Sequence, residues 1–198
     1  LGWDFYGPGD GTSPFSDSSL KTVDNAVSGG AIWVNSGGNS AQDNWYAGYS
    51  DIDSDGFLDF TAGGLELNDI SISAGEQIKV QLRWEDTWNQ ASRDLDLGLY
   101  DSGLNLVALS EDAQFGLVGH NPFERIIYTA PSTGTYSLAI LHFAGTAPSW
   151  IQMKASKPLL TIAVTGNSIT NPAESANTGM LAVGAANWAT PSTIENFS

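Results

Sequence analysis

A chain of 198 residues, 41% of them hydrophobic and only 15% charged, has the make-up of one folded domain or two small ones, not of a disordered segment. Its net charge of −15, with seven lysines and arginines in all, repels nucleic acid and anionic membrane surfaces, so neither is an expected partner. The lack of cysteine excludes disulfides and thiolate metal sites, and no apolar run nears the ~20 residues that span a bilayer.

Residues 1–17 are rich in Gly, Pro, Ser and Asp and read as loop. From Ser18 the pattern turns helical: Leu20, Val23, Ala26 and Val27 recur at helical spacing, Ser18 or Ser19 can cap, and Gly29-Gly30 stops the run. Ala31-Ile32-Trp33-Val34 follows as a short buried strand and ends in the polar turn Ser36-Gly37-Gly38-Asn39. Helix, strand and turn together suggest part of an α/β unit.

Next comes Asp51-Ile52-Asp53-Ser54-Asp55-Gly56-Phe57-Leu58-Asp59. Alternate aspartates followed by glycine wrap oxygen ligands around a hard cation, the glycine permitting the sharp turn. The expected ligands are Asp51, Asp53 and Asp55, with the Phe57 carbonyl and Asp59, and calcium is the expected cofactor. Ala62 stands where an EF-hand carries its bidentate glutamate, so a β-type loop closed by a ligand from elsewhere fits better. The same pattern also suits an acidic turn between strands.

To about Lys157 the period is that of strands. Ile78-Lys79-Val80-Gln81-Leu82-Arg83-Trp84, Leu95-Asp96-Leu97-Gly98-Leu99 and Tyr136-Ser137-Leu138-Ala139-Ile140 alternate, and turns such as Asp101-Ser102-Gly103 divide them. This predicts an antiparallel sandwich of jelly-roll type. Within it Asp86, Asp94 and Asp96, with Glu85, form a second acidic group that either holds a cation or faces solvent. Trp84, Trp88 and Trp150 are expected to pack and not to form a sugar platform. After Pro158, Leu159–Val164 reads as a buried strand, Asn171-Pro172-Ala173 as loop, and Met180–Ala185 as another apolar strand.

Val23–Val27 with Gly30–Asn39 resembles the helix, strand and Ser-Ala-Gly-Asn turn of subtilisin-like serine peptidases, with Gly37 in place of the usual Ala. Asn171-Pro172-Ala173, Met180–Ala185 and Ile194–Ser198 resemble the stretch that comes next in that family. The middle is similar to the β-sandwich of bacterial pre-peptidase C-terminal domains, through Arg83–Asp86, Asp94–Asp101 and Gly134–Leu138. The resemblance implies an α/β peptidase core in two segments, 1–49 and 158–198, with a sandwich inserted at 50–157. It further implies that Asn39 donates to the oxyanion, and that the family's Asp and His precede Leu1 while its Ser follows Ser198. Gly11-Thr12-Ser13 is not the nucleophile turn, since Pro14-Phe15 follows it, and His120 and His142 lack the flanking residues of a catalytic histidine.

The expected function is therefore that of a piece of a secreted serine endopeptidase, inactive alone. Its partners are a peptide or protein substrate and the rest of the peptidase core. A non-catalytic jelly-roll module binding carbohydrate or protein is the alternative.

Overall fold

A computed structural model describes residues 7–156 and 160–196. In chain order they form α1 (Ser19–Ser28), β1 (Trp33–Ser36), β2 (Asn44–Ala47), β3 (Asn68–Ile72), β4 (Gln77–Trp84), β5 (Asp94–Tyr100) and β6 (Leu106–Ser110). There follow β7 (Phe123–Thr129), β8 (Gly134–Ala144), β9 (Ile151–Ala155), β10 (Met180–Val183), β11 (Ala186–Asn187) and β12 (Thr190–Ile194). The chain divides into two compact units, Asp43–Ala163 and a second built from Leu1–Gln42 with Val164–Ser198. No helix among the described residues is long and apolar enough to cross a membrane.

In the two-segment unit, the Ser18 hydroxyl caps α1 by accepting from the Leu20 amide at 3.2 Å. Leu20 and Val23 form the buried stripe of the helix. Beyond it, β1 pairs in parallel with β10, Trp33 opposite Met180 through Ser36 opposite Val183. A Cβ on Gly179 would stand 2.3 Å from Val27 Cγ1, so only glycine lets α1 pack on the backbone entering β10. Val34 and Leu181 are register partners, and Val183 lies two residues on, so all three point to one face of the pair. Together with Ile32 they leave that face apolar and open, each more than half exposed.

The other unit is an eight-stranded antiparallel sandwich. Its sheets run β2-β9-β4-β7 and β3-β8-β5-β6. Counting these strands from one to eight gives 1-8-3-6 and 2-7-4-5, the double Greek-key order of a jelly roll. Between the sheets, Ile78, Val80, Leu82 and Trp84 of β4 meet Leu95, Leu97 and Leu99 of β5, all fully buried. The opposite face of the first sheet carries a polar ladder: Arg83 donates twice to Gln152 Oε1, at 2.9 and 2.6 Å, and Gln152 donates to Asn44 Oδ1 at 2.7 Å.

Three boundaries differ from the sequence reading. The sandwich begins before residue 50, because β2 pairs with β9, Asn44 opposite Lys154. Residues 160–163 form no strand; the Asn68 side chain takes up their backbone groups, donating to the Ile162 carbonyl at 2.8 Å and accepting from its amide at 3.0 Å. They belong to the sandwich and not to the return segment, which starts at Val164. The boundary at Lys157, the start of the run at Leu159 and the Phe197-Ser198 pair lie outside the described residues.

Candidate functional site

Asn39 lies just beyond the carboxyl end of β1, exposed to solvent. The turn before it is fixed twice: the Gly37 amide donates to the Val183 carbonyl at 2.8 Å, and the Gly38 amide to Ser36 Oγ at 3.2 Å. Gly38 has φ of +95° with Thr170 Oγ1 3.5 Å from where a Cβ would be, so a side chain there would strain the backbone. In open parallel sheets, ligands bind beyond the carboxyl ends of the strands, and Asn39 stands at that end of the β1–β10 pair.

The aspartate loop leads from β2 to the edge of the second sheet. It ends by pairing Phe57 with Leu141 of β8: Leu58 donates to the Ile140 carbonyl, and His142 to the Gly56 carbonyl, both at 2.9 Å. In such a pair Phe57 turns its own amide and carbonyl away from β8, towards the loop, and the amide meets Asp55 Oδ1 at 2.8 Å. Leu58 and Phe60 anchor the exit of the loop in the core, the Phe60 ring edge-on to Trp45 at 5.0 Å.

Asp51, Asp53 and Asp55 bring one carboxylate oxygen each within 4.8 Å of one another. Oxygens bound to one calcium ion stand at most about 5 Å apart, twice a metal–oxygen distance of about 2.4 Å, so the three fit a single hard cation. Desolvation pushes the Asp51 carboxyl up, but amide donors from Gly56, Ser54 and Asp55 and the Tyr49 hydroxyl outweigh it and hold the carboxyl below its usual range. In return the Tyr49 hydroxyl is pushed up to about 12, first by desolvation and then by Asp51. Asp59 stands apart from the trio. It is buried, and its Oδ2 accepts from the Ile52 amide at 2.7 Å, bracing the loop from inside.

Sequence spacing gave no hint of Glu66. Desolvation, and then the charges of Asp55, Asp53, Asp59 and Asp51, raise its carboxyl. The turn that returns it to the loop is closed by the Phe60 amide on the Leu65 carbonyl at 2.6 Å. Glu66 thus feels the charge of the acidic loop while standing outside the trio.

The second acidic group is dispersed. Asp86 accepts the Thr87, Ser92 and Arg93 amides at 2.7 Å each, and Glu85 pairs with Arg93 at 2.8 Å; both organise one turn. Asp94 is buried at the start of β5 instead of facing solvent. Asp96 is pushed up to about 6 by desolvation, with the charges of Asp94 and Glu111 adding to it. The tryptophans are likewise spread through the packing: Trp84 is in the core, Trp150 stacks on Tyr46 at 5.9 Å, and Trp88 tilts against Phe123 at 6.5 Å. His120 Nδ1 accepts from the Phe115 amide at 2.8 Å, and His142 lies edge-on to Tyr49. Ser13 Oγ accepts from the Phe15 amide at 3.2 Å, the bond of an ordinary serine turn.

No family model and no curated protein sequence matches the chain. Over 100% of its length it is similar to the solved structure of the CspB protease of Clostridium perfringens, with 12% identity and a TM-score of 0.64, and it spans 43% of that protein. The pre-peptidase C-terminal domain of a Bacillus anthracis collagenase aligns with 64% of the chain and 97% of that domain, at 9% identity and a TM-score of 0.39. A family 35 carbohydrate-binding module of Clostridium thermocellum aligns with 58% of the chain and 93% of the module, at 9% identity and a TM-score of 0.28. At 12% identity the likeness to the CspB protease is one of fold.

Proposed function

We propose that the chain is a section of a secreted subtilisin-like serine endopeptidase, contributing the oxyanion-hole asparagine and a calcium-binding jelly roll inserted in the peptidase core. The observation that carries this reading is the parallel pairing of β1 with β10 across the whole intervening sandwich, with the Asn39 turn at its carboxyl end. Parallel strands in α/β cores are covered on both faces. The open apolar face of Ile32, Val34, Leu181 and Val183 is the surface that the rest of such a core would cover. Its fold likeness to a protease over the full chain supports the same reading.

In acyl transfer the substrate carbonyl oxygen gains negative charge as the serine adds to the carbon. Asn39 Nδ2 would donate to that oxygen, acting on the transition state more than on bound substrate. The serine, histidine and aspartate would come from the rest of the protein, so the chain alone is expected to hydrolyse no peptide. In the sandwich, Asp51, Asp53 and Asp55, with the Phe57 carbonyl, would hold calcium, with Asp59 fixing the loop and the charge of Glu66 adding to the attraction. The cation would neutralise crowded carboxylates and stiffen the segment joining β2 to the second sheet.

The test is Asn39→Ala in the intact peptidase. The expected result is a fall in kcat of about 10²–10³-fold with KM nearly unchanged, the loss seen when subtilisin is stripped of one oxyanion donor. A kcat within twofold of the parent, at equal melting temperature, removes Asn39 from the catalytic machinery.

A further inference from the structure

The outer face of the β3-β8-β5-β6 sheet carries an open cleft of about 400 Å³ whose lining includes none of Asp51, Asp53, Asp55 and Asp59. Leu65, Leu104 and Ile162 wall it, and Asp69, Asp101 and Ser137 supply its polar side. Ser137 Oγ donates to Asp69 Oδ1 at 2.6 Å, which fixes both side chains in the floor.

Two of the walls, Leu104 and Ile162, are held in fixed positions by the hydrogen bonds around them. Leu104 occupies the left-handed region, φ +60°, where a leucine is strained, yet its side chain is 64% exposed and gains little from burial. The β5–β6 turn is closed by backbone bonds between Asp101 and both Leu104 and Asn105, each at 2.9 Å, and the Asp101 carboxylate adds to them by accepting the Gly103 and Asn105 amides at 2.8 and 2.9 Å. Ile162 is presented by the fully buried Asn68, which bonds both its carbonyl and its amide. The neighbouring Thr161 amide donates to the Asp69 carbonyl at 2.9 Å. Strain maintained by surrounding bonds is characteristic of binding surfaces.

We propose that this cleft binds an extended polypeptide segment, seating one apolar side chain against Leu104 and Ile162 with a lysine or arginine of the same segment beside Asp69 and Asp101. The volume falls at the small end of ligand sites, roughly 300–1,000 Å³, which suits one or two side chains. The lining is aliphatic and holds no aromatic ring, so a sugar finds no face to stack on, whereas an aliphatic side chain finds walls of its own kind. Carboxylates on the rim of a chain of net charge −15 select cationic neighbours and repel acidic ones. The proposal needs neither Asn39 nor a bound cation, so it stands or falls apart from the peptidase reading.

The test titrates the full chain, followed by ¹⁵N amide shifts, with three probes: a capped hexapeptide alternating lysine and leucine, its glutamate–leucine counterpart, and cellohexaose. The lysine–leucine peptide is expected to shift the Asp69, Leu104, Ser137 and Ile162 amides at millimolar concentration, and the other two probes to leave them in place. Leu104→Gly removes one wall while relieving the strained backbone, so the melting temperature holds or rises and affinity falls about tenfold, as when an anchoring side chain is lost. Asp69→Asn is expected to narrow the preference for the cationic peptide. Unmoved cleft amides, equal affinity after Leu104→Gly, or shifts caused by cellohexaose instead would each overturn the proposal.

Discussion

Glu124 points inward from β7, opposite Leu82, with 1% of its surface exposed. Its carboxyl accepts from the Ser110 hydroxyl and from Gln114 Nε2, the latter at 3.0 Å, and burial pushes it up to about 7 from an ordinary 4.5. Because the folded value stands above the unfolded one, the native chain binds more protons between about pH 4.5 and pH 7. Stability should therefore fall as pH rises through that window and level off above it. Asp96, raised to about 6, acts with the same sign over the lower part of the range. Glu124→Gln keeps an acceptor for Gln114 and removes the charge. It should raise stability at pH 8 by about 3 kcal/mol and flatten most of the slope, leaving the share of Asp96. Urea denaturation of both proteins from pH 4.5 to 8 checks this; equal slopes would show that Glu124 does not set the pH dependence.

Elements whose residues are contiguous were legible in the sequence. Ile78-Val80-Leu82-Trp84 and Leu95-Leu97-Leu99 alternate because one face of each strand is core, and that period alone predicted β4 and β5. The aspartate trio was visible for the same reason, since its residues follow one another along the chain. β2 was not: four residues with one fully buried apolar side chain, Trp45, carry no period, and their partner β9 lies a hundred residues on. Glu66 was hidden because a turn, not a spacing, brings it to the loop. The Leu159–Val164 run misled, since an apolar stretch held by the Asn68 side chain reads like one held by a ladder. At this scale the loop itself makes a prediction. Calcium should raise the melting temperature of the chain, by about 2.7 kcal/mol of stability at a hundredfold excess over Kd. Asp53→Ala should abolish most of the gain, and Glu66→Gln should weaken calcium binding without lowering stability in its absence, because Gln removes a repelling charge. Differential scanning calorimetry with calcium and with chelator decides the matter. A gain untouched by either substitution would place the cation elsewhere.

For the whole molecule, the two units differ in how well each buries its own apolar surface. The sandwich encloses its core between two four-stranded sheets, whereas the β1–β10 pair leaves Ile32, Val34, Leu181 and Val183 open. The ends of the sandwich are also tied into it: the Ala155 amide donates to the Asp43 carbonyl at 2.9 Å, and Asn68 holds Ile162. Residues 43–163 expressed alone should therefore fold cooperatively, as an insertion with its own core does. A shorter piece, 50–157, omits β2 and residues 160–162. It would leave β9 with an open edge and remove Trp45, a loss on the order of 3–5 kcal/mol by analogy with buried tryptophan truncation. That is a large part of the 5–15 kcal/mol that holds an ordinary domain together, so the short piece should be partly unfolded or aggregated at 37 °C. Circular dichroism melts and amide dispersion of the two pieces, measured side by side, give the comparison. Equal melting temperatures would mean that β2 and the Asn68 clamp contribute nothing to the fold, and an unfolded longer piece would mean that the sandwich depends on the segments flanking it.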